Sequence, residues 1–306
     1  MLKPMTLPLI AGLLAGGLFL FIFDVGLGFL FMFLPILPIM LAGFARSAPV
    51  ALQATLIATI AIGAVANTAA AVLFLIFFGL PAWYIVRQGQ LSRIDGAGTR
   101  QWMPAGPIFV HLAIAASVLV ALVVAYWAGT PGGLPGMIAE RLPEIFADLS
   151  GEYGDVVHAM ATDWSFMVFS ATVWLWGLAF YAHAWLALRL LAYKHIPARP
   201  VFTLVTFAMP NWLLSLLAIC ALASLIGSVS MSFLGKATLI TLLLPYFFLG
   251  AAIMHQRIAT WPNRSFLLFF MYFLAFAQFW PALMIAGIGL VHHIKRLSSA
   301  GTSSKS

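Results

Sequence analysis

Six polar side chains interrupt the long apolar runs of this chain: Asp24, Gln53, Asn67, His111, His183 and Asn211. A polar group inside an apolar membrane segment is costly and faces a bundle interior, a neighbouring helix or a cavity. These six are therefore the candidate ligand-binding residues, and each also has a structural reading. Asp24 stands beside Gly26 and Gly28 and suits a helix end or turn. Gln53 and Asn67 suit hydrogen bonds between helices. Asn211 follows Pro210, a pair that suits a helix entrance. His111 and His183 fall at similar distances from the ends of their runs. Two imidazoles at one depth would relay a proton or hold a metal, because histidine titrates near neutral pH. No acid stands near either one, which favours two separately satisfied core histidines. His292 and His293 are neighbours, so on a helix they point in different directions, which favours a surface role.

Catalytic chemistry finds no support. His-Glu-x-x-His, Cys-x-x-Cys and Gly-x-Ser-x-Gly patterns are absent. A phosphate loop needs a glycine, four residues and then Gly-Lys-Ser/Thr. Gly235-Lys236-Ala237 lacks both the earlier glycine and the hydroxyl residue, so ATP hydrolysis would have to come from a partner. Cys220 is the single cysteine, which excludes an internal disulfide. No catalytic residue, metal or cofactor is assigned, and the chain is not expected to be an enzyme. Glu140, Glu144 and Asp148 recur at helical spacing and read as a solvated face rather than paired acid and base.

The elements that must position these residues follow from composition. In 306 residues, 63% are hydrophobic and 8% charged, with a mean hydropathy of +1.06. Soluble domains carry about 25% charge, so this chain cannot cover a water-facing surface and belongs in a lipid bilayer. Its net charge of +7 comes from basic residues scattered through short loops and both termini, while six of eight acids lie between Glu140 and Asp163. That is membrane topology rather than a nucleic-acid surface.

A span needs about 20 apolar residues. Residues 5–44 suit a hairpin turning near Asp24, and residues 48–86 suit a second turning near Asn67. The loop 87–105 holds Arg87, Arg93 and Arg100 against Asp95 alone, which places it in the cytoplasm. Residues 106–128 then cross outward to the acidic stretch 129–162, where Ile138, Leu142, Ile145 and Leu149 share one face of an amphipathic helix expected on the outer membrane surface. Spans follow over 164–188, 202–228 and from Lys236 to His255. One crossing over 265–291 would leave His292, His293, Lys295 and Arg296 outside. The expectation is therefore a run broken near Pro281. The small polar residues of 297–306 read as a disordered cytoplasmic tail. The basic N-terminus followed by an unbroken apolar run reads as an uncleaved span starting in the cytoplasm. Trp83, Trp102, Trp164, Trp212 and Trp261 sit near span ends as interface anchors.

The string Leu34-Pro35-Ile36-Leu37-Pro38-Ile39-Met40-Leu41-Ala42-Gly43-Phe44, with Phe78-Gly79-Leu80-Pro81-Ala82-Trp83 and Gln101-Trp102-Met103-Pro104-Ala105-Gly106, resembles the YybS-like family of predicted bacterial membrane proteins. Leu244-Pro245-Tyr246-Phe247-Phe248-Leu249-Gly250 and Trp280-Pro281-Ala282-Leu283 extend the resemblance over nearly the whole chain. The family pattern ends with an acid after a Gly-Leu pair, whereas here Gly289-Leu290-Val291 leads to His292. The first four spans are also similar to the substrate-capture (S) subunits of energy-coupling-factor transporters. That resemblance implies a small-molecule cavity lined by Asp24, Gln53, Asn67 and His183. It also implies that Ala11 and Ala15 face a coupling protein served by partner ATPases. Small residues four apart also let any two membrane helices approach closely, so generic packing is the competing use of Ala11 and Ala15.

The expected fold is all-α, a single polytopic transmembrane helical bundle over residues 1–296 with about eight to ten spans. Its expected place is a bacterial cytoplasmic (inner) membrane. The expected role is transport-related small-molecule binding without an ATPase of its own. The alternative is a non-transporting scaffold for envelope or division proteins, which the scarcity of buried polar groups favours; any ligand should then be neutral or largely apolar.

Overall fold

The computed structural model describes residues 5–24, 31–145, 165–202, 207, 209–226 and 228–303. The turn at Gly26 and Gly28, the acids Asp148, Glu152, Asp155 and Asp163, and Leu149 and Trp164 lie outside the described residues. The protein is an all-α membrane bundle. Among the described residues, five helices are long and apolar enough to cross a membrane, or six if one sharply bent pair counts as a span. That is fewer than the eight to ten expected, because three further apolar helices are too short to cross alone.

The chain divides into two compact units, and the boundary falls inside two long helices. The first unit comprises residues 1–108 and 178–203. It opens with α1 (Thr6–Asp24), α2 (Ile36–Ala45) and α3 (Ala48–Val65). The second limb of the expected first hairpin is thus a ten-residue helix rather than a span. Pro49 stands in the first turn of α3, where its missing N–H has no intrahelical partner to lose. α1 packs closely on α3 at Gly12, where a Cβ would stand 2.6 Å from the Ala54 carbonyl oxygen.

α4 (Thr68–Gly89) returns from the turn expected at Asn67. Asn67 itself is extended, and its side chain accepts the Ala70 N–H at 2.8 Å, capping the helix. Inside α4 a π turn, Leu75–Gly79, inserts an extra residue. The Thr55 hydroxyl donates to the Gly79 carbonyl there at 3.3 Å, and a Cβ at Gly79 would collide with the Thr55 methyl. The loop after α4 is a small β-hairpin that hydropathy does not announce, β1 (Ser92–Ile94) paired antiparallel with β2 (Arg100–Trp102). Asp95 organises its turn by accepting the Ala97 and Thr99 N–H groups at 3.0 and 2.8 Å. The Gln101 amide, with these backbone bonds, holds its carboxyl below the usual carboxylate range.

α5 (Ala105–Trp127) begins in the first unit and continues in the second, and α7 (Ser165–Tyr193) ends in the first. α7 closes with His195 in the left-handed region at φ 54° and Ile196 N–H donating to Leu191 C=O at 2.9 Å, a Schellman-type stop. Beyond it, Arg199 donates through Nη1 to the carbonyls of Gly89 (2.9 Å) and Met103 (3.1 Å). Its guanidinium lies 4.0 Å from the Phe202 ring centroid. Burial pulls this side chain down to about 10, so it remains charged at neutral pH.

The second unit comprises residues 109–177 and 204–306. α6 (Gly133–Ile145) is the described part of the expected amphipathic helix. It does not simply lie on a lipid surface. Leu134 is buried in one cluster with Val120, Val124, Phe233 and Ala237, and Met137 and Ile138 pack against that cluster. α8 (Trp212–Leu225) is only 14 residues long because Pro210 delays its start. α9 (Val229–Leu242) and α10 (Leu244–Arg257) form one 29-residue apolar stretch interrupted at Leu243. Trp174 of α7 is 2% exposed, and its indole N–H donates to the Ile240 carbonyl at 2.8 Å. The final run is broken as expected, into α11 (Arg264–Ala277) and α12 (Phe279–Ser303), bent by 117°. The break falls at extended Gln278 rather than Pro281, which sits in the first turn of α12 where proline is tolerated. α12 continues through the polar residues to Ser303, so most of the expected disordered tail is helical.

Candidate functional site

Glycines on two helices bring the site together. A Cβ at Gly250 of α10 would run into the Ile285 carbonyl of α12, and a Cβ at Gly289 of α12 would run into the Tyr246 carbonyl of α10. Only backbone fits at this crossing, so α10 and α12 meet at van der Waals distance. One and two helical turns further on, Ile253, Gln256, His293 and Arg296 face each other around a cavity of about 170 Å³. Its walls include Phe207, Met209, Leu249 and Ala252, and its polar edge is Gln256, His292, His293 and Arg296. A dry cavity of about 150 Å³ accommodates a benzene molecule, so the space suits a group of that size.

His293 is the central polar group. It is 2% exposed, whereas its neighbour His292 is exposed. The surface role expected for the pair therefore holds for His292 and fails for His293, whose position on α12 turns it onto α10. Its Nδ1 lies 3.0 Å from the Tyr246 hydroxyl, while its Nε2 is buried with no hydrogen-bond partner. With the phenol donating to Nδ1, a neutral imidazole carries its proton on Nε2. A buried donor is then left without a partner in a residue that lines the cavity, a state that costs about 1–3 kcal/mol. Among the described residues the only other such atom is the Thr241 hydroxyl, which is not part of this lining. No Asp or Glu lines the cavity, so Arg296 meets no carboxylate within it.

The six residues singled out from the sequence are not gathered here. Asp24 ends α1, and its side chain is outside the described atoms. Gln53 is exposed on α3. Asn67 is exposed and serves as the cap of α4. His183 is half-buried and bonds through Nδ1 to the Ala179 carbonyl one turn back at 2.8 Å, a local bond. His111 is exposed on α5, and it and His183 belong to different units. Asn211 is exposed at the N-terminus of α8 and makes no side-chain cap bond. Ala11 and Ala15 are 5% and 0% exposed, so this chain's own helices already cover them. Among the described residues no group of three His, Cys, Asp or Glu side chains is placed to hold a metal ion.

Sequence reasoning missed His293 because an adjacent pair of histidines at the polar end of an apolar run resembles a surface basic cluster. The available signal was the spacing Gly289 to His293, four residues and hence one face of a helix, with a small residue marking the contact side. Comparison with family models found no match, and comparison with curated proteins and with solved structures found none either.

Proposed function

We propose that this is a multi-pass protein of a bacterial cytoplasmic membrane that binds a small molecule between α10 and α12 and serves transport without an ATPase of its own. The observation that carries the reading is the cavity lined by His293, whose buried Nε2 has no hydrogen-bond partner. Buried polar groups are almost always satisfied, so an open donor beside an accessible space argues for an exchangeable partner. The basic loops and the basic residues in the second half of α12 support a cytoplasmic N-terminus by the positive-inside bias. Absence of a phosphate loop from the sequence supports dependence on a partner for energy. Burial of Ala11 and Ala15 means that a coupling partner would use another surface.

The test is recovery of the tagged protein from its native membranes in mild detergent, with mass spectrometry of the proteins and small molecules that accompany it. A retained metabolite together with coupling ATPases is the expected result. Envelope or division proteins with no small molecule would overturn the reading in favour of a membrane scaffold.

A further inference from the structure

We infer that the α10/α12 cavity is a site for an anionic head group, a carboxylate or phosphate monoester carrying a short apolar body. This inference rests on the proposed function and specifies its ligand. It departs from the neutral ligand expected from the sequence.

The polar lining is rich in donors and holds a cation. Arg296 offers only donors, and the Gln256 amide offers an NH2 beside its carbonyl. With Tyr246 donating to Nδ1, His293 carries its proton on Nε2, which is buried and has no partner. No carboxylate lines the cavity to satisfy these groups. Arg296 and Gln256 are exposed and meet water, so His293 Nε2 alone lacks a partner, and the cationic guanidinium at the edge favours a ligand that carries negative charge, because charge-assisted bonds are about twice as strong as neutral ones. The opposite wall, formed by Phe207, Leu249, Ala252 and Ile253, has no polar side chain and suits a hydrocarbon or ring. The volume of about 170 Å³ suits a group near benzene in size beside the head.

Position within the fold agrees. α10 ends at Arg257, and the apolar part of α12 gives way to His292, Lys295 and Arg296. The donors thus sit where apolar helices meet the polar boundary, the level at which basic pockets between membrane helices hold lipid head groups. A free aromatic or aliphatic acid presents the same chemistry as a lipid phosphate.

The experiment reconstitutes the full-length protein in zwitterionic phosphatidylcholine nanodiscs and titrates phenyl phosphate, benzoate and neutral benzyl alcohol, following the thermal unfolding midpoint. Phenyl phosphate or benzoate should raise the midpoint at concentrations at least about tenfold below those needed for benzyl alcohol. Arg296→Gln should weaken the anions by a similar factor, as should His293→Phe, which keeps the ring and removes the donor. Lys295→Gln, a neighbouring charge outside the lining, should leave them unchanged. Nanodiscs containing phosphatidylglycerol distinguish the sources. Competition by that lipid, with native mass spectrometry showing it retained by the wild type and lost from Arg296→Gln, identifies a lipid head group. Undiminished binding of the free anions identifies a soluble ligand. Equal binding of benzyl alcohol and the anions overturns the anionic assignment while leaving a small-molecule site in place. Failure of all three probes, with no lipid retained, overturns the site itself. Anion binding that survives Arg296→Gln and His293→Phe equally overturns the assignment of these residues.

Discussion

Both units contain a helix crossing that only glycine permits, yet they differ in what surrounds it. In the first, Gly12 brings α1 against α3, and the polar side chains that reach inward end on backbone carbonyls: Thr55 on Gly79, Gln90 on Gly43, Arg199 on Gly89 and Met103. In the second, Gly250 and Gly289 bring α10 against α12, and one nitrogen of the buried imidazole next to the crossing has nothing to bond. Close approach alone is a packing device in membrane helices. Close approach beside an unfilled space and an unpartnered buried nitrogen is what marks the proposed site.

The comparison can be broken most forcefully at the glycines. Gly250→Leu forces a side chain into the Ile285 carbonyl, backbone that cannot swing aside. Overpacking of this kind costs about 1–3 kcal/mol or more, and monodisperse protein should be lost on gel filtration. Gly17→Ala meets nothing within 4 Å and should raise the unfolding midpoint slightly, since alanine gains about 0.5–1 kcal/mol over glycine in a helix. A Gly250→Leu protein that melts like wild type would remove the crossing from the account of the site.

Arg199→Ala comes next. It removes bonds to two carbonyls and the contact with Phe202, and bonds from charged groups are worth about 1.5–3 kcal/mol each way. The unfolding midpoint should fall while anion binding to the second unit remains, which sharpens the contrast between a structural cation and a binding one. Arg199→Lys should restore only part of the loss, because an ammonium lacks the planar face that the guanidinium lays against Phe202.

Asn67→Ala removes the cap of α4 and should cost about 1 kcal/mol in stability, with Asn67→Asp restoring most of it. Ligand binding should not change in either variant; a loss of binding would return Asn67 to the site.

The smallest effect is at Asp95. Its carboxyl is held below the ordinary value, so its contribution is complete above about 3.9, the unfolded value, and disappears as pH falls through the lower folded value. Slowed hydrogen exchange of the Ala97 and Thr99 amides should therefore persist at pH 5 and fade only in stronger acid. Exchange that accelerates already at pH 5 would show that the carboxylate does not hold the turn.

Much of the fold was legible because hydrophobic runs and their interruptions are local. Asn67 marked a turn, and the cap it forms needs only the three residues that follow. The broken last run was legible from charge balance, although the break at Gln278 precedes the proline that suggested it. The hairpin at Asp95 was not legible, since its bonds join residues in a short polar stretch without apolar alternation. The site was least legible. Polarity within apolar runs pointed to Asn67 and His183, whose hydrogen bonds prove to be local, to the next turn or the one before.

Residue order by itself determined that this chain is a helical membrane protein, where several helices start and stop, and which loops carry the basic charge, because hydropathy, capping and charge act over a few neighbouring residues. Only the tertiary structure decided that His293 is buried and His292 is not, and that Tyr246 and Arg296, 50 residues apart, belong to one place. The reason is geometric: the approach of α10 and α12 depends on two glycines distant in sequence, and a cavity exists only where two such surfaces fail to fill the space between them.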